Sequence, residues 1–264
     1  MRTMLLIDTV LAAFSMFTAL PVPGGRAWNE RATRYILCAF PLTGTLCALS
    51  WLLWGAVCAR FAIPSLLRGA VFAVLPHVVT GGIHLDGYMD TSDALASHAD
   101  AERKQEILRD PHCGAFAVIR VCIYIVVYTA LCASVNLSGR AMRALCLSFL
   151  LSRALSGLML VRLPVAAQSS LAKMFTETDM KKRTARILTV WVIGIAIPLF
   201  YYHGIFGIAA CAAAVIVLAH YVYTAKHVFR ATSGDLAGWF LVKAEFWMLA
   251  AVYMSQLFVT GGTS

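Results

Sequence analysis

Long apolar stretches dominate this sequence and limit the folds that it can adopt. Of the 264 residues, 60% are hydrophobic and only 13% are charged, whereas soluble domains average about 45–50% apolar and about 25% charged residues. A helix of about 20 apolar residues is long enough to cross a bilayer. Seven stretches approach or exceed that length, namely Tyr35–Ala59, Leu66–Ile83, Ala115–Val135, Ala141–Val161, Ile187–Tyr202, Ile205–Ala225 and Ala237–Phe258. The sequence therefore predicts an all-α, polytopic integral membrane protein with about seven transmembrane helices.

The first apolar segment, Met4–Leu20, leaves two interpretations open. Asp8 interrupts it, and the sequence Pro-Val-Pro-Gly-Gly follows it where a cleaved signal peptide would have a small-x-small site. We therefore expect no cleaved signal, and the segment is either a short span or a helix lying in the interface. The chain contains no internal repeat or low-complexity linker, so residues 1–264 are predicted to form a single domain.

The distribution of Lys and Arg predicts the orientation of the protein. The loops at 21–34, 86–114, 162–186 and 226–236 carry fourteen Lys and Arg residues, and the loops on the other side carry four. Positively charged loops remain in the cytoplasm, so these four loops are predicted to be cytoplasmic and the C-terminus to lie outside. We therefore expect the loop at 86–114 to face the cytoplasm.

Net charge and cysteine usage exclude several other classes. The formal charge of +9 follows from the positive-inside bias, so nucleic acid is not an expected partner, whereas the lipid bilayer is. None of the eight cysteines belongs to a C-x-x-C pair, and most lie in apolar stretches. They are predicted to fill space between helices, and neither a zinc site nor a disulfide framework is expected.

An acidic motif lies where the second predicted span ends. Asp86, Asp90 and Asp93 are separated by four and three residues, and this spacing places them on one face of a helix. Charged side chains beside a membrane span are costly and usually functional. Carboxylate oxygens are also the ligands that Mg²⁺ prefers. The motif therefore predicts a Mg²⁺ site, although a solvated helix end is the simpler alternative.

Other polar residues near this motif are candidates for binding and proton transfer. His84 precedes Asp86 by two residues and points elsewhere on a helix, where it is a base, a ligand or a polar cap. A second, amphipathic helix is predicted from Asp100 as N-cap to a stop at Pro111. Arg109 and Asp110 follow that helix, and we expect them to contact a phosphate or a metal. Mixed carboxylates and basic groups are typical of phosphoryl-transfer sites.

A second polar cluster opens the last predicted span. Gly234 and Asp235 lie level with the acidic motif and are predicted to form a second wall of the same site, although Ser233 or Asp235 is also a plausible helix cap. Lys243 and Glu245 follow within the span and must face protein, water or each other. Arg153 is also within a span, where it is an anion partner or a counter-ion for Glu245 or an aspartate.

The sequence resembles the cobalamin synthase family, also called adenosylcobinamide-GDP ribazoletransferases. Residues 80–93, TGGIHLDGYMDTSD, closely resemble the family string T-G-G-L-H-L-D-G-L-A-D-T-x-D. Shorter similarities extend over the chain, at 17–23 (FTALPVP), 40–44 (FPLTG), 108–116 (LRDPHCGAF) and 232–238 (TSGDLAG). The segment Pro111–Cys113 departs from the Ser-Arg sequence common in the family.

The resemblance implies a Mg²⁺-dependent transferase at the last assembly step of vitamin B12. It implies that α-ribazole or its 5′-phosphate attacks adenosylcobinamide-GDP and that GMP leaves, giving adenosylcobalamin or its 5′-phosphate. Asp86, Asp90 and Asp93 would then hold Mg²⁺ on the pyrophosphate, and His84 or an aspartate would accept the proton of the hydroxyl. Asp235 would complete the metal or nucleoside site. Arg109 and Arg153 would stabilise charge on the leaving GMP.

Two other functions share some of these sequence features. CDP-alcohol phosphotransferases also use a membrane aspartate cluster, but their D-G-x-x-A-R pattern is not matched, because Tyr88, Met89 and Asp90 follow Asp86-Gly87. A transporter would be expected to show inverted repeats and charges near the bilayer midplane. The acidic residues instead cluster at one predicted interface.

Overall fold

A computed structural model describes residues 2–22, 30–137, 139–166 and 178–261. Within these ranges the regular structure is helical, and one isolated bridge pairs Val165 with Thr232. The helices are α1 (Arg2–Phe17), α2 (Glu30–Thr33), α3 (Ile36–Arg60), α4 (Ser65–Val79), α5 (Ile83–Ala96), α6 (Ala101–Ile107), α7 (Ala115–Ser134), α8 (Gly139–Arg162), α9 (Thr178–Tyr202), α10 (Ile205–Tyr223) and α11 (Gly234–Gly261), with a π-helical turn at Thr224–Val228 after α10.

In the part of the chain that the structure describes, six helices are long and apolar enough to cross a membrane: α3, α7, α8, α9, α10 and α11. The all-α, polytopic prediction is confirmed. The predicted span Leu66–Ile83 is broken, because α4 ends at Val79 and α5 leaves it at an angle of 94°, and the bent pair of α4 and α5 is the seventh candidate span. The apolar run continues through the break, so hydropathy alone did not reveal it.

Two further boundaries differ from the sequence prediction. The predicted span Ile187–Tyr202 is the second part of a 25-residue helix that begins at Thr178, because basic residues occupy its first turns and lower its hydropathy. The segment predicted as Met4–Leu20 forms a 16-residue helix that ends at Phe17. This helix packs on α3 and is shorter than the six spanning helices.

Helix α8 lies at the centre of the bundle. In its most apolar stretch 89% of the residues are buried, against 22% in α7 and α9. It packs against α3, α9, α10 and α11. The peripheral helices expose large apolar side chains, including Val126, Val190 and Ile216, each more than 65% exposed. These outward faces are suited to lipid, because proteins in water rarely expose apolar surfaces of this size.

The loops gather at two opposite ends of the bundle. At one end, Thr232 donates to the carbonyl of Pro164 and Gln105 donates to the carbonyl of Phe229. At the other end, Arg68 donates to the carbonyl of Ala133, and Gln256 near the end of α11 exchanges hydrogen bonds with Asn136. The end that holds α5 and α6 is therefore the end at which the loops rich in Lys and Arg were predicted to lie. Two of the basic residues counted in those loops, Arg26 and Lys173, lie outside the described residues.

The contact of α3 with α8 depends on a glycine. A Cβ atom at Gly44 would lie 2.6 Å from the carbonyl oxygen of Phe149, so Gly44→Ala forces the two backbones apart. Small residues allow such close packing in membrane bundles, and overpacking costs about 1–3 kcal/mol. We expect Gly44→Ala to lower the midpoint of thermal unfolding in detergent.

Gly194→Ala is the matched control. Gly194 also lies inside a spanning helix, but a Cβ atom there meets no atom within 4 Å. Both substitutions gain the same helix propensity, about 1 kcal/mol, so their difference isolates the steric effect. Equal unfolding midpoints for the two variants would contradict the packing described here.

Candidate acidic site between two helices

A glycine turn brings the acidic helix into position. Gly81 and Gly82 have φ angles of +64° and +79°, which residues other than glycine rarely adopt. Thr80 closes α4 by donating from its hydroxyl to the carbonyl of Pro76, and Asp86 begins the α5 ladder by donating to the carbonyl of Gly82. The chain thus turns by about a right angle within three residues and starts α5 beside the first turn of α11.

The backbones of α5 and α11 touch where two glycines meet. A Cβ atom at Gly87 would lie 2.8 Å from the Cα atom of Asp235, and one at Gly238 would lie 3.0 Å from the carbonyl oxygen of His84. No larger residue fits this crossing without moving a helix. The contact brings Asp235 alongside the acidic face of α5, as the sequence predicted for a second wall of one site.

Four carboxylates share this region. Asp86 is exposed, and Asp90, Asp93 and Asp235 are partly buried. Asp90 is close enough to Asp86, Asp235 and Asp93 to be repelled by all three, and Asp235 is repelled by Asp86. Within the described part of the chain, none of the four forms an ion pair with a basic side chain. Their repulsion is therefore relieved by a proton or a cation.

The donor set suits Mg²⁺ without forming a closed cage. Among the described residues, no three His, Cys, Asp or Glu side chains are placed to hold one metal ion together. Mg²⁺ usually keeps several waters and binds through one or two carboxylates and the phosphates of a substrate. Asp86, Asp90 and Asp235 provide such carboxylates from two helices, so the residues present fit this ion.

Asp93 has a second neighbour that the sequence did not indicate. Its carboxylate lies against the Cα atom of Gly114, where any side chain would collide with it. Gly114 is the residue that precedes α7, and the positive end of a helix dipole stabilises a nearby carboxylate. Asp93 therefore ties the acidic helix to the start of α7, whether or not it also binds a metal.

His84 is buried on a different side of α5 from the exposed Asp86. Its ring lies 5.7 Å from that of Phe40 and 6.4 Å from that of Phe17. Its Nε2 atom is buried and has no hydrogen-bond partner among the described residues. The two phenylalanines were not predicted from the sequence as neighbours of the site. Both occur in the family-like segments at 17–23 and 40–44, which was the available signal.

Arg109 and Asp110 lie on the exposed turn between α6 and α7. The predicted cap of α6 is confirmed, because Asp100 accepts from the backbone of Arg103 at 2.9 Å. Asp110 accepts from the backbone N–H of His112 and lies 2.7 Å from the His112 ring, and these bonds lower the pKa of Asp110. The turn leads to Gly114 and thus runs towards Asp93.

Ser233 is the cap of α11, which leaves Asp235 available to the site. The Ser233 hydroxyl accepts from the backbone N–H of Leu236 at 3.2 Å and donates weakly to Asp235 at 3.4 Å. Gly234, the first residue of α11, is exposed beside it. A helix N-terminus favours anions, so Gly234 lies where the backbone can approach a phosphate.

Arg153 forms a buried ion pair below the acidic cluster. Its Nη1 atom lies 2.6 Å from Oε1 of Glu245, and both side chains are at most 5% exposed. Ser152 also donates to Glu245, at 3.0 Å, and Nη1 of Arg153 donates to the carbonyl of Phe149. Arg153 is therefore the counter-ion of Glu245 in the structure. Its contact with a substrate remains a prediction.

The chain is similar to known proteins over most of its length. Residues 9–253 match the protein family described as cobalamin-5-phosphate synthase. A protein of Lachnoclostridium phytofermentans named adenosylcobinamide-GDP ribazoletransferase is 32% identical over 257 residues, which cover 97% of each chain. A protein of the same name from Clostridium perfringens strain SM101 is 34% identical, covering 88% of this chain and 92% of the relative. No solved structure matches the chain.

The buried pair predicts a strong energetic coupling between α8 and α11. Arg153→Met or Glu245→Leu alone leaves a buried charge without a partner, which costs about 3–5 kcal/mol. The double variant removes both charges, so we expect it to be more stable than the sum of the single effects predicts. The coupling would be measured from the thermal unfolding midpoints of the wild type, the two single variants and the double variant in one detergent.

Arg103→Gln and Glu106→Gln serve as the comparison pair. Arg103 and Glu106 are also 2.7 Å apart, but their side chains are 67% and 59% exposed, and exposed pairs contribute little. We expect no measurable shift from either change. Additive losses in the Arg153 and Glu245 cycle would contradict the coupling.

Proposed function

Because the chain belongs to the cobalamin-5-phosphate synthase family, we propose that it acts as an adenosylcobinamide-GDP ribazoletransferase and that the acidic cluster between α5 and α11 is its reaction site. Support comes from the family match over residues 9–253 and from relatives of that name that cover nearly the whole chain. Membership of this family also sets aside the CDP-alcohol phosphotransferase and transporter alternatives.

The proposed reaction exchanges a phosphoanhydride bond for a phosphate ester bond. A hydroxyl of α-ribazole or of its 5′-phosphate attacks the phosphorus on the corrinoid side of the pyrophosphate. The bond from that phosphorus to the bridging oxygen breaks, GMP leaves with that oxygen, and the hydroxyl proton passes to a base. Such transfers depend on positioning and on stabilising negative charge.

The unpaired carboxylates carry the proposal that Mg²⁺ takes part. Four aspartates converge from two helices, and none is matched by a basic side chain in the described ranges. Asp86, Asp90 and Asp235 are the proposed ligands, and Asp93 either joins them or fixes α5 against Gly114. When bound, Mg²⁺ would neutralise part of the charge of the phosphates.

Other residues are assigned by their position around this cluster. Gly234 offers the N-terminus of α11 to a phosphate, and the exposed Arg109 is the proposed partner of GMP. His84 or an aspartate is the proposed base, and the buried Nε2 atom of His84 is the observation that keeps it a candidate. Complete burial of Arg153 favours support of the site over contact with substrate.

Removing one negative charge from the cluster should strongly slow the reaction. We expect Asp90→Asn and Asp235→Asn to reduce GMP release from adenosylcobinamide-GDP and α-ribazole phosphate by on the order of 100-fold, since an amide keeps the shape but lacks the charge. EDTA should also stop GMP release by the wild type, and added Mg²⁺ should restore it. Purified protein in nanodiscs is suitable for the assay.

Asp100→Asn is the matched control, because Asp100 lies outside the cluster and asparagine is also a good helix cap. It should retain wild-type activity. Full activity of Asp90→Asn would refute the proposed site, and activity in EDTA would refute the metal. A folded wild type that releases no GMP from these substrates would refute the proposed function itself.

We also propose that the protein lies in the bacterial inner membrane with the acidic site facing the cytoplasm, in line with its basic loops. Cys113 is exposed beside the site, between α6 and α7. In a variant that keeps only this cysteine, an impermeant maleimide should label inverted membrane vesicles and not intact spheroplasts. A variant whose only cysteine is at Arg140, in the opposite end of the bundle, should show the reverse, and the same pattern for both would overturn the orientation.

A further inference from the structure

Two cations lie on the outer surface of the bundle without acidic partners. Lys243 and Arg120 are close enough to repel each other, and neither forms an ion pair with a carboxylate in the described ranges. Lys243 is placed 4.2 Å from the centre of the Trp239 ring, and Arg120 donates to the carbonyl of Ser92 at 2.9 Å. Both contacts leave the positive charges uncompensated.

The two cations are at a similar depth in the bundle. Arg120 is five residues beyond the start of α7, or about 7–8 Å along the axis. Lys243 starts deeper on α11, but its ammonium lies over Trp239, one turn closer to the helix start. Long basic side chains commonly extend in this way towards the polar edge of a membrane. They therefore meet at the level where lipid head groups begin.

Two apolar grooves meet at this cationic pair. One, of about 230 Å³, lies between α5, α7 and α11 and is lined by Tyr88, Ile123, Val127 and Phe246. The other, of about 670 Å³, lies between α10 and α11 and is lined mainly by alanines and by Ile216. Lys243 and Trp247 border both grooves. The surface thus combines one cationic point with two separate apolar channels.

This surface is distinct from the acidic cluster. Tyr88 and Ser92, which border the cationic pair, follow Asp86 and Asp90 by two residues each, or about 200° around the helix. The carboxylates and the cations are therefore on opposite faces of α5. A ligand at the cations would be held from the lipid side and would leave the acidic side open.

We propose that this surface binds one anionic diacyl phospholipid. Its phosphate would lie between Lys243 and Arg120, and its two acyl chains would lie in the two grooves on either side of α11. Charge complementarity selects an anionic head group, since a zwitterionic lipid brings its own cation to a surface that already has two. The paired grooves select a ligand with two chains.

Lipid binding to the purified protein tests the proposal directly. Binding of fluorescent phosphatidylglycerol and phosphatidylcholine would be titrated in the same detergent. We expect the wild type to prefer phosphatidylglycerol about tenfold, because each basic residue near the surface contributes to anionic lipid binding. In Arg120→Gln and Lys243→Gln the preference should fall to about twofold, with phosphatidylcholine binding unchanged.

Two further variants separate the charge from the grooves. Ala212→Phe, in the alanine-lined groove, should weaken the binding of both lipids while keeping the preference. Arg143→Gln, at the other end of the bundle, should behave as the wild type. Elution profiles and thermal midpoints would verify that every variant is folded.

Three results would overturn the proposal. Equal binding of the two lipids by the wild type would remove the anionic preference, and equal losses in Lys243→Gln and Arg143→Gln would remove the site. Displacement of phosphatidylglycerol by millimolar inorganic phosphate would show a simple anion site that does not need the acyl chains. None of these readouts depends on the transferase activity.

Discussion

The ion pair between Arg153 and Glu245 is the interaction on which the arrangement of α11 depends. A buried charge must find its partner, and Arg153 lies on the most buried helix of the bundle. Pairing therefore fixes which face of α11 turns inward. Gly238 precedes Glu245 by seven residues and so shares that face, which directs it to the backbone of α5. Lys243, two residues before Glu245, is turned outward to the lipid.

The site is built from close backbone contacts more than from side-chain packing. Gly87 and Gly238 let α5 cross α11, and Gly114 leaves room for the carboxylate of Asp93. Each glycine brings a carboxylate closer to the others than larger residues would allow. The cluster consequently holds more negative charge than its own side chains neutralise, and the free energy of that repulsion favours a cationic ligand. In this way close packing at three positions creates the unneutralised charge on which the proposed metal site depends.

Much of this could be predicted from the sequence, and the failures have physical reasons. Hydropathy located the six spanning helices, and the spacing of Asp86, Asp90 and Asp93 predicted their common face. Asp100 was identified as a cap from local chemistry, and Ser233 was one of two candidates for the cap of α11. Hydropathy missed the bend after Val79, because apolar residues continue through a turn that depends on two positive φ angles. The partner of Arg153 stayed open among several carboxylates, since only the packing of α8 on α11 decides between them.

The bend after α4 explains how one short helix serves two environments. A helix that continued straight from α4 would carry Asp86, Asp90 and Asp93 to successive depths, and each charge would need its own partner. Turning by 94° brings them to nearly one level relative to the axis of α4. The carboxylates then occupy one side of α5, while Tyr88 and the carbonyl of Ser92 face the other side, where Arg120 binds. In this position α5 separates the proposed reaction site from a lipid-facing surface, and the same residues that hold it in place define both.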